Sequence, residues 1–249
     1  MDSPGRLRPH RHRSRPEIKA ISSVLRFAAL GFDIDHTLGI DNKLERIAFL
    51  RLLGELCSQG GRALGTLASE SARVDELLER QRGGAFPIDE AVARFVTERG
   101  AKETGRFIAR YKEIAVGSVR DFFVPQPDAR TVLTELQRRR IPCAILSNGW
   151  SPLQQEKARR LCFEGPVLVS DAIGAQKPQA RAFAALSQAL GVSANEIAYV
   201  GDNPRSDIAA AQSCAMQGIW FDTESVRYAP DLPKPDAVIH SLTELLAFL

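Results

Sequence analysis

From Asp128 onward the chain alternates between two periodicities. Short apolar runs at Cys143 to Leu146, Val167 to Val169, Glu196 to Val200, Gly218 to Phe221 and Ala237 to His240 are separated by stretches of helical spacing. Those stretches run from about Asp128 to Arg140, from Ser151 onward with Ser151 as N-cap and Pro152 in first place, from Gln179 to Leu190 ahead of Gly191, and from Ile208 to Met216, with a C-terminal helix last. Strands spaced by helices cannot pair as hairpins. They need crossovers, and crossovers produce a parallel sheet covered by helices on both faces. Leu25 to Phe32 is a further apolar run and ends at Asp33. The fold class read from this pattern is α/β, a doubly wound parallel sheet.

The pattern changes between Asn42 and about Gly117. Leu44, Ile47, Ala48, Leu52 and Leu56 form one helical stripe; Val92, Phe95 and Val96 a second; Phe107, Ile108, Tyr111, Ile114 and Ala115 a third. Gly83, Gly84, Pro87, Gly100 and Gly105 punctuate them, and no strand signal interrupts. The expected organisation is a basic tail at residues 1–18, an α/β core at 19–40 and 120–249, and a smaller all-helical domain of three or four helices at 41–119.

Charge is unevenly placed. Residues 1–20 carry five Arg and one Lys against Asp2 and Glu17, a net +4, whereas the whole chain sums to +3. The tail is too poor in apolar residues to offset chain entropy and reads as disordered. Arg26 interrupts the apolar stretch after it, which is not the form of a secretory signal. No membrane partner is expected, and no nucleic acid for the folded body; oligomeric state is left open. Cys57, Cys143, Cys162 and Cys214 lie far apart without C-x-x-C spacing, which points to reduced, mostly buried thiols in a cytoplasmic protein.

Open α/β sheets bind ligands beyond the carboxyl ends of their strands. There the sequence places Asp33, Asp35 and Thr37, then Ser147 and Asn148, then Lys177, then Asp202 and Asp207. Four carboxylates with one lysine repel one another unless a hard cation such as Mg²⁺ joins them. Asp33 and Asp35, two apart in an extended segment, point the same way and can divide nucleophilic and proton-transfer work.

Phe32-Asp33-Ile34-Asp35-His36-Thr37-Leu38, Leu146-Ser147-Asn148-Gly149, Lys177-Pro178 and Gly201-Asp202-Asn203-Pro204-Arg205-Ser206-Asp207 resemble, in order, the four motifs of the haloacid-dehalogenase-like superfamily. The resemblance runs from about Ala28 to the C-terminus, with the helical insert standing where the family's cap follows the first motif. It implies a Rossmann-like core and a Mg²⁺-dependent phosphatase acting on a small phosphorylated metabolite. It implies Asp33 as nucleophile and metal ligand, and Asp35 as general acid/base with its backbone carbonyl on the metal. Thr37 organises the loop and stands with Ser147 and Asn148 among the substrate-binding groups. Lys177 bridges nucleophile and phosphate, and Asp202 and Asp207 hold the metal. Ser206 departs from the commoner Asn, and Cys214-Ala215 stands where a small residue and Gly usually precede the Met. A phosphomutase keeps the same motifs. A dehalogenase needs neither metal nor Asp35, and a non-catalytic phospho-ligand binder has no use for Asp35. His36 is expected as a loop residue, Trp150 and Trp220 as packing residues, and Arg51, Arg99 and Arg110 as solvated. Removing Lys177 is expected to leave stability nearly unchanged.

Overall fold

The computed structural model describes residues 27–41, 43–223 and 227–249; the basic tail lies outside them. Six parallel strands form the main sheet: β1 (Ala29–Phe32), β4 (Cys143–Ser147), β5 (Val167–Val169), β6 (Ile197–Gly201), β7 (Gln217–Phe221) and β8 (Ala237–Ile239). Their order is β5-β4-β1-β6-β7-β8, with β1 flanked by β4 and β6. The chain crosses from one side of β1 to the other, so the carboxyl ends of β1, β4 and β6 meet at the topological switch point.

The strands are short and apolar on both faces, and a period of two divides their side chains between two cores. Leu30, Phe32, Ile145, Ala198 and Val200 join a core with Leu136 of α5 (Ala129–Arg138) and Leu153 of α6 (Ser151–Arg160). Ala29, Ala144, Leu146, Ile197 and Tyr199 join another with Phe183 and Leu186 of α8 (Ala180–Leu190) and Ala211 of α9 (Ala210–Ser213). A one-turn helix, α7 (Ser170–Ile173), follows β5.

Four helices stand between the two strands of a small antiparallel ribbon, β2 (Gly39–Ile40) and β3 (Val124–Pro125). They are α1 (Leu44–Ser58), α2 (Leu67–Arg82), α3 (Ile88–Thr97) and α4 (Gly105–Phe122). The expected boundary at 119 therefore falls inside α4. The insert's centre is aromatic: the Phe49 ring lies 5.1 Å from that of Phe95 and 4.5 Å from that of Tyr111. Tyr111 continues to Trp150 at 6.3 Å, joining α4 to the start of α6.

Several local expectations are corrected. Ser151 is the first helical residue rather than the N-cap, because Asp171 does the capping from outside the helix: its carboxylate accepts from the Ser151 amide at 2.9 Å and hydroxyl at 2.7 Å. The helix expected from Ile208 begins at Pro204 as a π-helical turn (Pro204–Ala209), started by the Asn203 carboxamide, which accepts from the amides of Arg205 and Ser206. The C-terminal helix is of the 3-10 kind (Leu242–Phe248). All four cysteines are free thiols but none is buried; Cys57 and Cys162 are exposed. Arg99, expected in solvent, is buried against Glu70 and the Phe95 carbonyl. Among the described residues no helix is long and apolar enough to cross a membrane.

Candidate active site

β1 delivers Asp33 to the carboxyl edge of the sheet, where its amide still donates to the Val200 carbonyl on β6 at 2.9 Å. The chain then turns back at once. Thr37, Leu38 and Gly39 all donate to the Ile34 carbonyl, and His36 takes a left-handed φ of 63° at the corner. That turn holds Asp35 next to Asp33 and makes His36 the loop residue the sequence suggests. Thr37 is fully buried, its hydroxyl donating to Asp202 at 3.5 Å, and it is not on the cavity wall.

Lys177 is the hub. Its Nζ donates to Asp33 Oδ1 at 2.8 Å, Asp207 Oδ1 at 2.7 Å and the Tyr199 hydroxyl at 3.0 Å, using the three donors an ammonium has. Tyr199 passes the chain on to the Leu146 carbonyl at 2.8 Å. The Asn148 carboxamide is spent on the Lys177 backbone, donating to its carbonyl at 2.9 Å and accepting from its amide at 2.8 Å. Asn148 thus fixes where the lysine leaves the chain. Ser147, at the end of β4, is buried, and its hydroxyl makes one long bond to the Asn148 carbonyl at 3.4 Å.

Asp207 reaches back from the π-helical turn toward the end of β6, and its Oδ2 accepts from the Asn203 amide, two residues past the strand, at 3.0 Å. A Cβ at Gly201 would sit 2.5 Å from that carboxylate, so glycine ends the strand. Asp33, Asp202 and Asp207 each offer a carboxylate oxygen within 4.8 Å of the others. Burial, with the charges of Asp207 and Asp35, raises the Asp33 carboxyl to about 7 against the pull of Lys177. Burial and the charges of Asp33 and Asp207 push Asp202 up to about 8. For Lys177, the two carboxylates outweigh burial and hold its pKa well above the usual value. One ammonium does not offset three clustered carboxylates. Hard oxygen donors in excess negative charge are the donor set Mg²⁺ takes, so the residues present fit that ion.

Asp35 is held separately. Its Oδ1 accepts from Lys157 Nζ at 2.7 Å and its Oδ2 from Gln154 Nε2 at 2.9 Å, both on α6. Burial raises this carboxyl, but Lys157's charge and the two side-chain hydrogen bonds outweigh it and leave it below the ordinary value. The sequence reading missed Lys157, Gln154 and Tyr199. A lysine two residues before Arg159-Arg160 reads as solvated, and Tyr199 reads as one more strand residue.

Asp33, Asp35, Ser147, Asn148, Lys177, Asp202 and Asp207 all face one cavity of about 1020 Å³. Its far wall comes from the insert, including Arg82, Phe86, Asp89 and Lys112. There Gly84, at φ +81°, leaves room for the Gln176 side chain beside Lys177; a Cβ would lie 3.0 Å from its Nε2. Trp150 packs as expected and donates to the buried Glu45 of α1 at 3.3 Å, while Trp220 meets the Tyr228 ring edge to face and donates to the Asp202 carbonyl at 2.9 Å.

The model of the haloacid dehalogenase-like hydrolases matches residues 28–214. A phosphoserine phosphatase of Thermus thermophilus is 34% identical over 164 residues; the alignment covers 62% of this chain but only 64% of that protein's length. A glyceraldehyde 3-phosphate phosphatase of Methanopyrus kandleri is 28% identical over 195 residues, covering 76% of this chain and 81% of that protein. The fold is also that of a 2-haloacid dehalogenase from Pseudomonas syringae, with a TM-score of 0.70 at 22% identity, covering 89% of this chain and 97% of that one. The match to the family model across the core and the insert, with the fold to go with it, shows that the chain belongs to the haloacid dehalogenase-like hydrolases.

Proposed function

We propose that this protein is a phosphatase that hydrolyses the phosphoric monoester of a small metabolite through an aspartyl-phosphate on Asp33. The observation that carries this reading is the Lys177 ammonium placed between Asp33 and Asp207 on the wall of the cavity. The relatives named above as phosphatases support it.

Asp33 attacks phosphorus, and the bond to the leaving oxygen breaks. Asp35, having taken up a proton as the ester binds, gives it to that oxygen, and the alcohol departs. A water molecule then attacks the phosphorylated Asp33, its proton passes to Asp35, and inorganic phosphate leaves with the original carboxylate restored. Lys177 offsets the charge gathered between Asp33 and the phosphoryl oxygens, and the Ser147 hydroxyl donates to one of them. Asp33, Asp202 and Asp207, with the Asp35 carbonyl, would hold Mg²⁺, which when bound supplies charge neutralisation at the phosphoryl group. The helical insert, from about Asp41 to the end of α4, acts as a cap whose wall selects the leaving group. The four free thiols support a reducing compartment such as the cytoplasm.

Phosphate release from an aryl phosphate, with and without Mg²⁺, followed by a panel of phosphorylated metabolites, tests the reading. Mg²⁺-dependent release is expected. Full turnover after exhaustive chelation would contradict it and favour metal-free dehalogenase chemistry.

A further inference from the structure

The inner face of α6 is polar where a core helix is ordinarily apolar. Gln154 and Lys157, three residues apart and so on one face, are buried, Lys157 to 1% exposure. Burying an ammonium is costly unless it is paired, and what Lys157 pairs with is specific. Its Nζ lies 2.7 Å from Asp35 Oδ1 and 3.3 Å from Asp41 Oδ2, and 5.8 Å from the centre of the Phe123 ring. Gln154 Nε2 binds Asp35 Oδ2 at 2.9 Å and the Asn148 carbonyl at 3.1 Å. Each carboxylate oxygen of Asp35 therefore has its own donor from one helix face. Lys157 is not on the cavity wall.

We infer that Lys157 is a positioning residue for proton transfer: with Gln154 it fixes the Asp35 carboxyl in the orientation from which it protonates the leaving oxygen. This rests on the reading of Asp35 as general acid/base. In the first step the bond from phosphorus to the leaving oxygen breaks, the bond to Asp33 forms, and the proton moves from Asp35 to the departing oxygen. Lys157 moves no proton. It holds the carboxyl rotamer from which the proton departs, so its effect is felt where proton transfer limits the step. Asp41 lies between β2 and α1 at the root of the insert, so the same ammonium ties Asp35 to the segment that enters the insert.

Lys157→Met keeps the length and removes the charge. With Mg²⁺ present, phosphoenzyme formation is followed by rapid acid quench on 4-nitrophenyl phosphate, whose phenolate leaves without help, and on phenyl phosphate, which needs the proton. The variant is expected to form phosphoenzyme from phenyl phosphate on the order of 10²-fold more slowly, and from 4-nitrophenyl phosphate within about threefold of wild type, with KM for each little changed. Equal slowing on both esters, or wild-type rates on both, in a variant with native circular dichroism and a cooperative thermal transition would overturn the inference. If Lys157→Met does not fold, Gln154→Leu leaves the ion pair and removes the other bond. It should show the same selectivity at about tenfold, and an unselective change overturns the inference. Wild-type protein that forms no phosphoenzyme from either ester would overturn the reading of Asp33 and this inference with it.

Discussion

Lys177 Nζ lies 2.8 Å from Asp33 Oδ1, in a cluster where the lysine's remaining donors go to Asp207 and Tyr199. Lys177→Met should cut turnover on the order of 10²-fold or more, as for loss of a preorganised charge. The buried pairing of Lys177 argues against the expectation that stability would be nearly unchanged. With Lys177 gone, Asp33 and Asp207 are buried without their cation, and breaking such a pair costs about 3–5 kcal/mol. Thermal unfolding in chelator should show the loss, and Mg²⁺ should recover part of it; an unchanged transition in chelator contradicts this.

The acid cluster has a pH signature. Asp33 and Asp202 titrate at about 7 and about 8 when folded and at 3.8 ordinarily. Between these values the native state holds protons that the unfolded chain has lost. Metal-free stability therefore falls as pH rises from about 4 to 8, and this contribution is flat above. Mg²⁺ needs the carboxylates ionised, so its thermal shift should be small near pH 5 and larger near pH 8.5. Scanning fluorimetry with and without Mg²⁺ at the two pH values reads it, and equal shifts would contradict the account.

Arg99 and Glu70 form an ion pair inside the insert, with side-chain exposures of 0% and 1%. Arg99→Met should destabilise by about 3–5 kcal/mol, because Glu70 is left buried and charged. At about 2–4 °C per kcal/mol for a chain of this size, the melting temperature should fall by about 10 °C. Adding Glu70→Leu should restore most of the loss. A double variant no more stable than the single one would show that the pair is not what matters there.

Ala215 has a φ of +63° just after α9, where the family pattern has glycine. An L side chain pays for the left-handed region, and Ala215 is exposed, so no packing is lost on removing its methyl. Ala215→Gly should stabilise by about 0.5–1 kcal/mol after the added freedom of the unfolded chain is set against it. Denaturant midpoints measure this directly, and a lower midpoint for the glycine variant would contradict it.

Asp33, Ser147, Asn148 and Asp202 were legible because each ends or follows a strand, and strand ends are marked by local pattern. The sequence alone places Asp33, Ser147, Lys177 and Asp202 on one edge of the sheet. What supports them was not legible. Lys157 lies in a run of charged residues on α6, and only its tertiary neighbours Asp35 and Asp41 distinguish it from a solvated lysine. Asp171 caps α6 from twenty residues away, so Ser151 looked like the cap. β2 and β3 are two residues each, too short for any periodicity, and the ribbon exists because Gly39 and Pro125 are brought together by the helices between them. Cys57 and Cys162 misled in another way: cysteine is often buried as a type, but these two lie exposed at the ends of α1 and α6.

The central claim is that Asp33 carries the phosphoryl group and Asp35 moves the protons, and trapping separates the two. Asp33→Asn and Asp35→Asn proteins are mixed with an aryl phosphate and Mg²⁺, quenched in acid and analysed by mass spectrometry. Asp35→Asn keeps the nucleophile but lacks the base for water attack, so it should accumulate one phosphoryl group on the peptide containing Asp33. Asp33→Asn should accumulate none. If neither variant traps phosphate while wild-type hydrolysis is confirmed, water attacks phosphorus directly and Asp33 is not the nucleophile.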